Sequence, residues 1–115
     1  MKDMIKLAAK AAKIHKRDKR LYQMGAVAIR ADGVIVCSSN GASQDVDPSM
    51  HAEARVLRKA GFGASLFVAR VRKLDGTTAM AKPCPACEAL IRNRGVKVVC
   101  YSTDNGGYET IRIAS

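Results

Sequence analysis

The chain has 115 residues, 48% hydrophobic and 26% charged, which suits one globular domain over residues 1–115 and is too short for two. No apolar run reaches the about 18 residues of a membrane-spanning helix, and the composition excludes a disordered chain. Twenty Lys and Arg against ten Asp and Glu give a net charge of +10, which favours anionic partners, phosphates or nucleic acid.

The N-terminal segment predicts a helix over residues 2–17. Met4, Leu7, Ala8, Ala11 and Ile14 recur at helical spacing, and Lys6, Lys10, Lys13 and Arg17 fall on another face. Lys10 and Lys13 interrupt the alanines, so the segment lacks the apolar centre of a secretion signal. A reducing cytoplasm is the expected compartment. Residues 25–30 and 34–38 read as two strands joined by Ala31-Asp32-Gly33, a hairpin. Residues 40–50 are polar and turn-rich, a loop. A helix is expected from about 49 to 60, stopping at Gly61, with Pro48 in its first turn. Residues 65–71 predict a strand, Asp75-Gly76 a turn, residues 84–95 a short helix, and residues 96–101 and 109–113 two further strands.

This order implies an α/β fold whose two strand–helix–strand units make parallel neighbours. Only about seven residues separate the last two strands, fewer than the about ten to twelve of a parallel crossover, so they should pair antiparallel. Branched aliphatics and alanine must fill the core, since the chain has only three Tyr and two Phe. Tyr101 and Phe62 are expected to pack in that core rather than to stack a base, and Cys37 and Cys100 to be buried thiols. His15 is expected at the surface.

Two helix starts carry the chemistry-bearing residues: His51-Ala52-Glu53 and Pro83-Cys84-Pro85-Ala86-Cys87. Two cysteines three apart on a first helical turn can face one ion, and the helix N-terminus favours their thiolate form. His51 supplies a third ligand if both helices begin at the same sheet edge. Two sulfurs and an imidazole suit zinc. Three protein ligands leave a fourth position for water, whose pKa zinc lowers to about 7, and Glu53 can then move protons without binding the metal. The competing reading is a structural zinc closed by Cys37 or Cys100. It leaves Glu53 without a role.

The set resembles the zinc-dependent cytidine and deoxycytidylate deaminase superfamily, whose signature is His-x-Glu followed by Pro-Cys-x-x-Cys. The resemblance covers nearly the whole chain. It implies a three-layer fold with a five-stranded mixed sheet flanked by helices. It implies zinc on His51, Cys84 and Cys87, and Glu53 as proton shuttle between zinc-bound hydroxide, ring and leaving ammonia. It further implies that Asn40 touches the substrate's sugar and that the backbone at Ala52 grips the pyrimidine carbonyl. Family members of this size often form dimers or tetramers.

The branch is mixed. Free-nucleoside cytidine deaminases usually carry Asn-x-Glu after the second strand and Arg-Gln after the second cysteine. Here Asn40 precedes Gly41-Ala42, and Cys87 precedes Glu88-Ala89. Residues 83–101 look more like deoxycytidylate deaminases, and residues 47–53 are similar to transfer-RNA adenosine deaminases. The expected substrate is a free cytosine nucleotide or nucleoside, with Lys82 and Arg20 as candidate phosphate contacts. The alternatives are a cytosine or adenine in single-stranded DNA or RNA, guided by the basic first helix, and a zinc-stabilised binding module without catalysis.

Overall fold

The computed structural model describes residues 2–12, 22–39, 52–72, 77–83 and 85–113. In chain order these form α1 (Lys2–Ala12), β1 (Tyr22–Ile29), β2 (Ile35–Ser39), α2 (Ala52–Ala60), β3 (Ser65–Arg72), β4 (Thr78–Ala79), α3 (Pro85–Asn93), β5 (Val98–Ser102) and β6 (Tyr108–Arg112). One mixed sheet takes the strands in the order β2-β1-β3-β5-β6, with the two-residue β4 paired to β3. No helix among the described residues is long and apolar enough to cross a membrane.

Alternation along the strands makes the layers. Ala26 and Ala28 of β1, Leu66 and Val68 of β3, and Val99 and Tyr101 of β5 face one way, packed with Val56 and Leu57 of α2 and Ile91 of α3. Val27, Phe67, Ala69 and Cys100 face the other way, against Ile5 and Ala8 of α1. Period-two strands buried on both faces thus give three layers. Full burial of a side chain such as Leu57 or Leu66 contributes about 1.5–3 kcal/mol. The buried stripe of α1 is Ile5, Ala8, Ala11 and Ala12; Met4 and Leu7 flank it, and Lys6 and Lys10 are exposed. Residues 13–17 lie outside the described residues, as do the 40–50 loop, Pro48, the Asp75-Gly76 turn, His15 and Arg20.

The last hairpin pairs as the connection length requires. β5 and β6 run antiparallel from Val98↔Arg112 to Ser102↔Tyr108, around a short 3₁₀ turn over Asp104–Gly106. The parallel-neighbour expectation holds for β3 and β5. It does not hold for β2 and β3, which run parallel but are separated by β1. β1 gives β3 a ladder along all eight of its residues, from Tyr22↔Arg72 to Ile29↔Ser65, whereas β2 has only five. The longer edge takes the new strand, and β2 is left at the border of the sheet.

That border position corrects the reading of Cys37, which is exposed. Cys100, in the central β5, is buried, and burial pushes its thiol pKa up. Tyr101 is buried as expected, and its hydroxyl donates to Glu109 Oε2 at 2.7 Å. The hydrogen bond to that carboxylate, with burial, raises the phenol's pKa, so it stays neutral. Phe62 departs from expectation. It follows the end of α2 at Gly61 and is 74% exposed, because the turn carries it off the sheet's end instead of into a layer.

α1 lies so close to β1 that a Cβ on Gly25 would overlap the Ala8 carbonyl and the Ala12 backbone nitrogen. Helix backbone cannot yield as a side-chain tip can. Gly25→Ala is therefore expected to destabilise the fold by at least about 1–3 kcal/mol, the usual cost of overpacking. Urea denaturation with an unchanged m-value checks this; a loss under about 0.5 kcal/mol would mean that α1 shifts freely on the sheet.

Candidate active site

Short connections place both metal-motif helices alike. Four residues, 61–64, turn α2 into β3, and four, 94–97, turn α3 into β5. Each helix therefore runs back along the strand that follows it. The two turns are tied to each other: Gly63 N–H donates to the Arg94 carbonyl at 3.2 Å, and Lys97 N–H to the Ala64 carbonyl at 3.0 Å. Since β3 and β5 are parallel neighbours, the starts of α2 and α3 lie together at the carboxyl end of both strands. The register adds β2 to that end, because its last residue, Ser39, pairs with Gly25, which pairs with Ala69.

Ala52 and Glu53 open α2, fully buried and 2% exposed respectively. Glu53 is a carboxylate in a first helical turn, where the positive end of the helix favours its charge. Its Oε1 is shielded from solvent, and the residue keeps a polar interaction in the structure. Pro85 begins α3, where a missing N–H costs nothing. Cys87 follows in the same turn, 2% exposed, with the positive helix end favouring thiolate. Asn40, His51 and Cys84 lie outside the described residues; their sequence neighbours Ser39, Ala52, Pro83 and Pro85 are within them. Among the described residues no three His, Cys, Asp or Glu side chains converge as a metal group. The one candidate ligand within the described residues, the buried Cys87 thiol, is nonetheless of a chemical type that zinc takes, and the buried Glu53 opens the other helix.

Lys82 is exposed beside a narrow slot lined by Pro83, Ile91, Val99 and Ile111. The slot has about 20 Å³, too little for a nucleobase. Two supports of this end have no signal in the sequence. Arg55 Nη1 donates to the Ser39 carbonyl at 2.9 Å, joining the helix that carries Glu53 to the strand that leads into Asn40. Ser102 Oγ donates to the Ala79 carbonyl at 2.7 Å and accepts from Arg70 N–H at 3.0 Å, binding β4, β3 and β5 together. Ala81 N–H donates to the Ser102 carbonyl at 2.9 Å and so sets the path of the chain into the cysteine motif.

A family model described as the cytidine and deoxycytidylate deaminase zinc-binding region matches residues 1–103. No curated protein shows significant sequence similarity to the chain. Among solved structures, the cytidine deaminase of Mycobacterium tuberculosis is similar with a TM-score of 0.63 at 20% identity, covering 96% of this chain and 88% of that one. The cytidine deaminase of Burkholderia pseudomallei gives 0.58 at 17% identity, covering 94% and 91%. That of Mycobacterium leprae gives 0.56 at 22% identity, covering 94% and 90%. At these identities the structural likeness is one of fold, and the family rests on the match over 103 residues. The chain belongs to the cytidine and deoxycytidylate deaminase zinc-binding family.

Proposed function

We propose that the chain removes the exocyclic amine of a cytosine ring by hydrolysis, in a free cytidine or deoxycytidine nucleotide or nucleoside. The observation that carries this reading is the buried Glu53 at the start of α2, at the sheet end where Cys87 opens α3. His51, Cys84 and Cys87 would hold the zinc. When bound, zinc supplies hydroxide as nucleophile at neutral pH by lowering the pKa of water to about 7. Glu53 takes the proton of the attacking water and delivers it to the ring nitrogen beside the amine-bearing carbon. It then takes the proton of the hydroxyl newly formed on that carbon and passes it to the departing amine as the C–N bond breaks, so that water and cytosine become ammonia and uracil. One carboxyl acting first as base and then as acid explains a buried glutamate that is not itself a ligand. The Ala52 backbone would grip the pyrimidine carbonyl and Asn40 the sugar. Arg55 would keep these two segments in register through Ser39.

The departures after Asn40 and Cys87, with the +10 charge, favour a nucleotide over a neutral nucleoside. The same charge supports a second reading, a base in single-stranded nucleic acid. A structural role for zinc would leave Glu53 buried for no purpose.

Purified protein is expected to hold about one zinc per chain, matching one three-ligand site. Cys84→Ala and Cys87→Ala should each lose most of it, as measured by elemental analysis. Full retention in both variants would remove the metal site.

Glu53→Gln should keep zinc and fold, since glutamine preserves shape and is not counted as a ligand. Turnover should fall by about a hundred- to ten-thousandfold or more, the range of lost general acid–base catalysis. Ammonia release is measured across cytidine, deoxycytidine, their monophosphates and a cytosine-containing single strand. A variant keeping more than about a tenth of the rate on the best of these contradicts the role of Glu53. Activity confined to the strand replaces the free-nucleotide reading with the second one.

A further inference from the structure

The end of the sheet opposite the candidate active site holds an open groove of about 730 Å³. Its lining includes Ala31, Phe62, Ser65, Lys97, Val98 and Arg112. Ser65, Val98 and Arg112 stand side by side across β3, β5 and β6 in register. Lys97 and Arg112 are exposed, and among the described residues no acidic side chain lines the groove. Arg30 and Arg94 adjoin it in sequence, beside Ala31 and Gly95. The neighbouring Asp32 is paired with Arg30 at 3.2 Å.

Phe62 has a specific placement. It sits between Gly61 and Gly63, both at positive φ, and its ring lies over Gly95, also at positive φ. A Cβ on Gly95 would overlap the ring, so the absence of a side chain there is what seats it. The Gly63–Arg94 backbone hydrogen bond holds the two turns together beneath. The result is an aromatic ring supported below and open above, 74% exposed, in a chain with only two Phe. A large apolar side chain held in water contributes little to folding. It does suit a stacking platform beside cations.

We propose that this groove binds single-stranded nucleic acid, with a base stacked on Phe62 and flanking phosphates met by Lys97 and Arg112. Charge complementarity selects the occupant: the charged side chains that line the groove among the described residues, Lys97 and Arg112, are cationic, on a chain of net charge +10. Its openness selects a strand over a single nucleotide. Small-ligand sites bury about 70–90% of the ligand, which an open groove cannot do. A strand continues past the groove and gains counterion release at each further phosphate contact. The groove is at the far end of β3 and β5 from Glu53 and Cys87, so it is a separate surface and does not depend on the reaction proposed above.

The test uses the full chain and a fluorescein-labelled oligothymidylate of about 15 nucleotides, near the upper site size of one binding module. Thymine has no exocyclic amine, so binding is read apart from deamination. Phe62→Ala should weaken binding about 5- to 150-fold, the equivalent of one lost base–aromatic stack, and Phe62→Tyr should restore it. Lys97→Ala and Arg112→Ala should each lower the slope of log affinity against log salt by about 0.7, one phosphate contact on a single strand. Zinc content and turnover on free cytosine substrates should stay within about twofold in Phe62→Ala. That separates failure of the groove from failure of the active site. Equal binding by Phe62→Ala and the parent overturns the proposal, as does competition by thymidine monophosphate at the affinity of the oligomer. A dimer in sedimentation that Phe62→Ala dissociates, without oligomer binding by the parent, assigns the groove to self-association and also overturns it.

Discussion

Two backbone hydrogen bonds between the turns after α2 and α3, Gly63 to Arg94 and Lys97 to Ala64, align the two halves of the molecule. They hold the beginnings of β3 and β5 level. Parallel pairing from Ser65↔Val98 then carries that alignment along both strands. Both helices turn back from this fixed line over connections of four residues and are nine residues long. Their starts therefore finish at the same height, which brings Glu53 and Cys87 to one end of the sheet. A longer turn on one side would move one helix along the other and separate the two motifs.

The same alignment gives the two ends of the sheet different properties. At the carboxyl ends of β3 and β5, polar side chains are buried: Glu53, Ser39 and Ser102 are all at most 5% exposed. Buried polar groups must be matched by partners, and Ser102 with its bonds to Ala79 and Arg70 is an instance. At the other end, glycines at positive φ make tight turns that leave Phe62 in solvent above Gly95. Burial favours chemistry that needs a dry, positioned carboxylate. An exposed aromatic among cations favours reversible contact with a charged polymer.

The cover of the border strand shows how packing and site share residues. Among the described strands β2 pairs only with β1, so carbonyls on its other side need donors. Arg55 and Lys59, one helical turn apart on α2, donate to Ser39 and Cys37 at 2.9 Å each. These bonds occupy the carbonyls of two of its five residues. They also fix α2, and with it Glu53, relative to the strand that leads to Asn40.

The sequence by itself determined most of the element types and the antiparallel last hairpin, and its family resemblance pointed to the three layers and named the candidate site residues. Apolar periodicity, turn residues and connection lengths are local properties. His51-x-Glu53 and Cys84-x-x-Cys87 are specific because their spacing must satisfy helix starts. The placement of β1 between β2 and β3 was decided by tertiary structure, since it depends on which of two edges gives the longer ladder. So were the exposure of Cys37, which follows from that order, and the small β4. Arg55 and Ser102 could not be read as supports, because their partners lie 16, 23 and 32 residues away. Phe62 is the clearest case: the chain shows an aromatic residue after a helix, and only the close approach of Gly95 decides that the ring faces water.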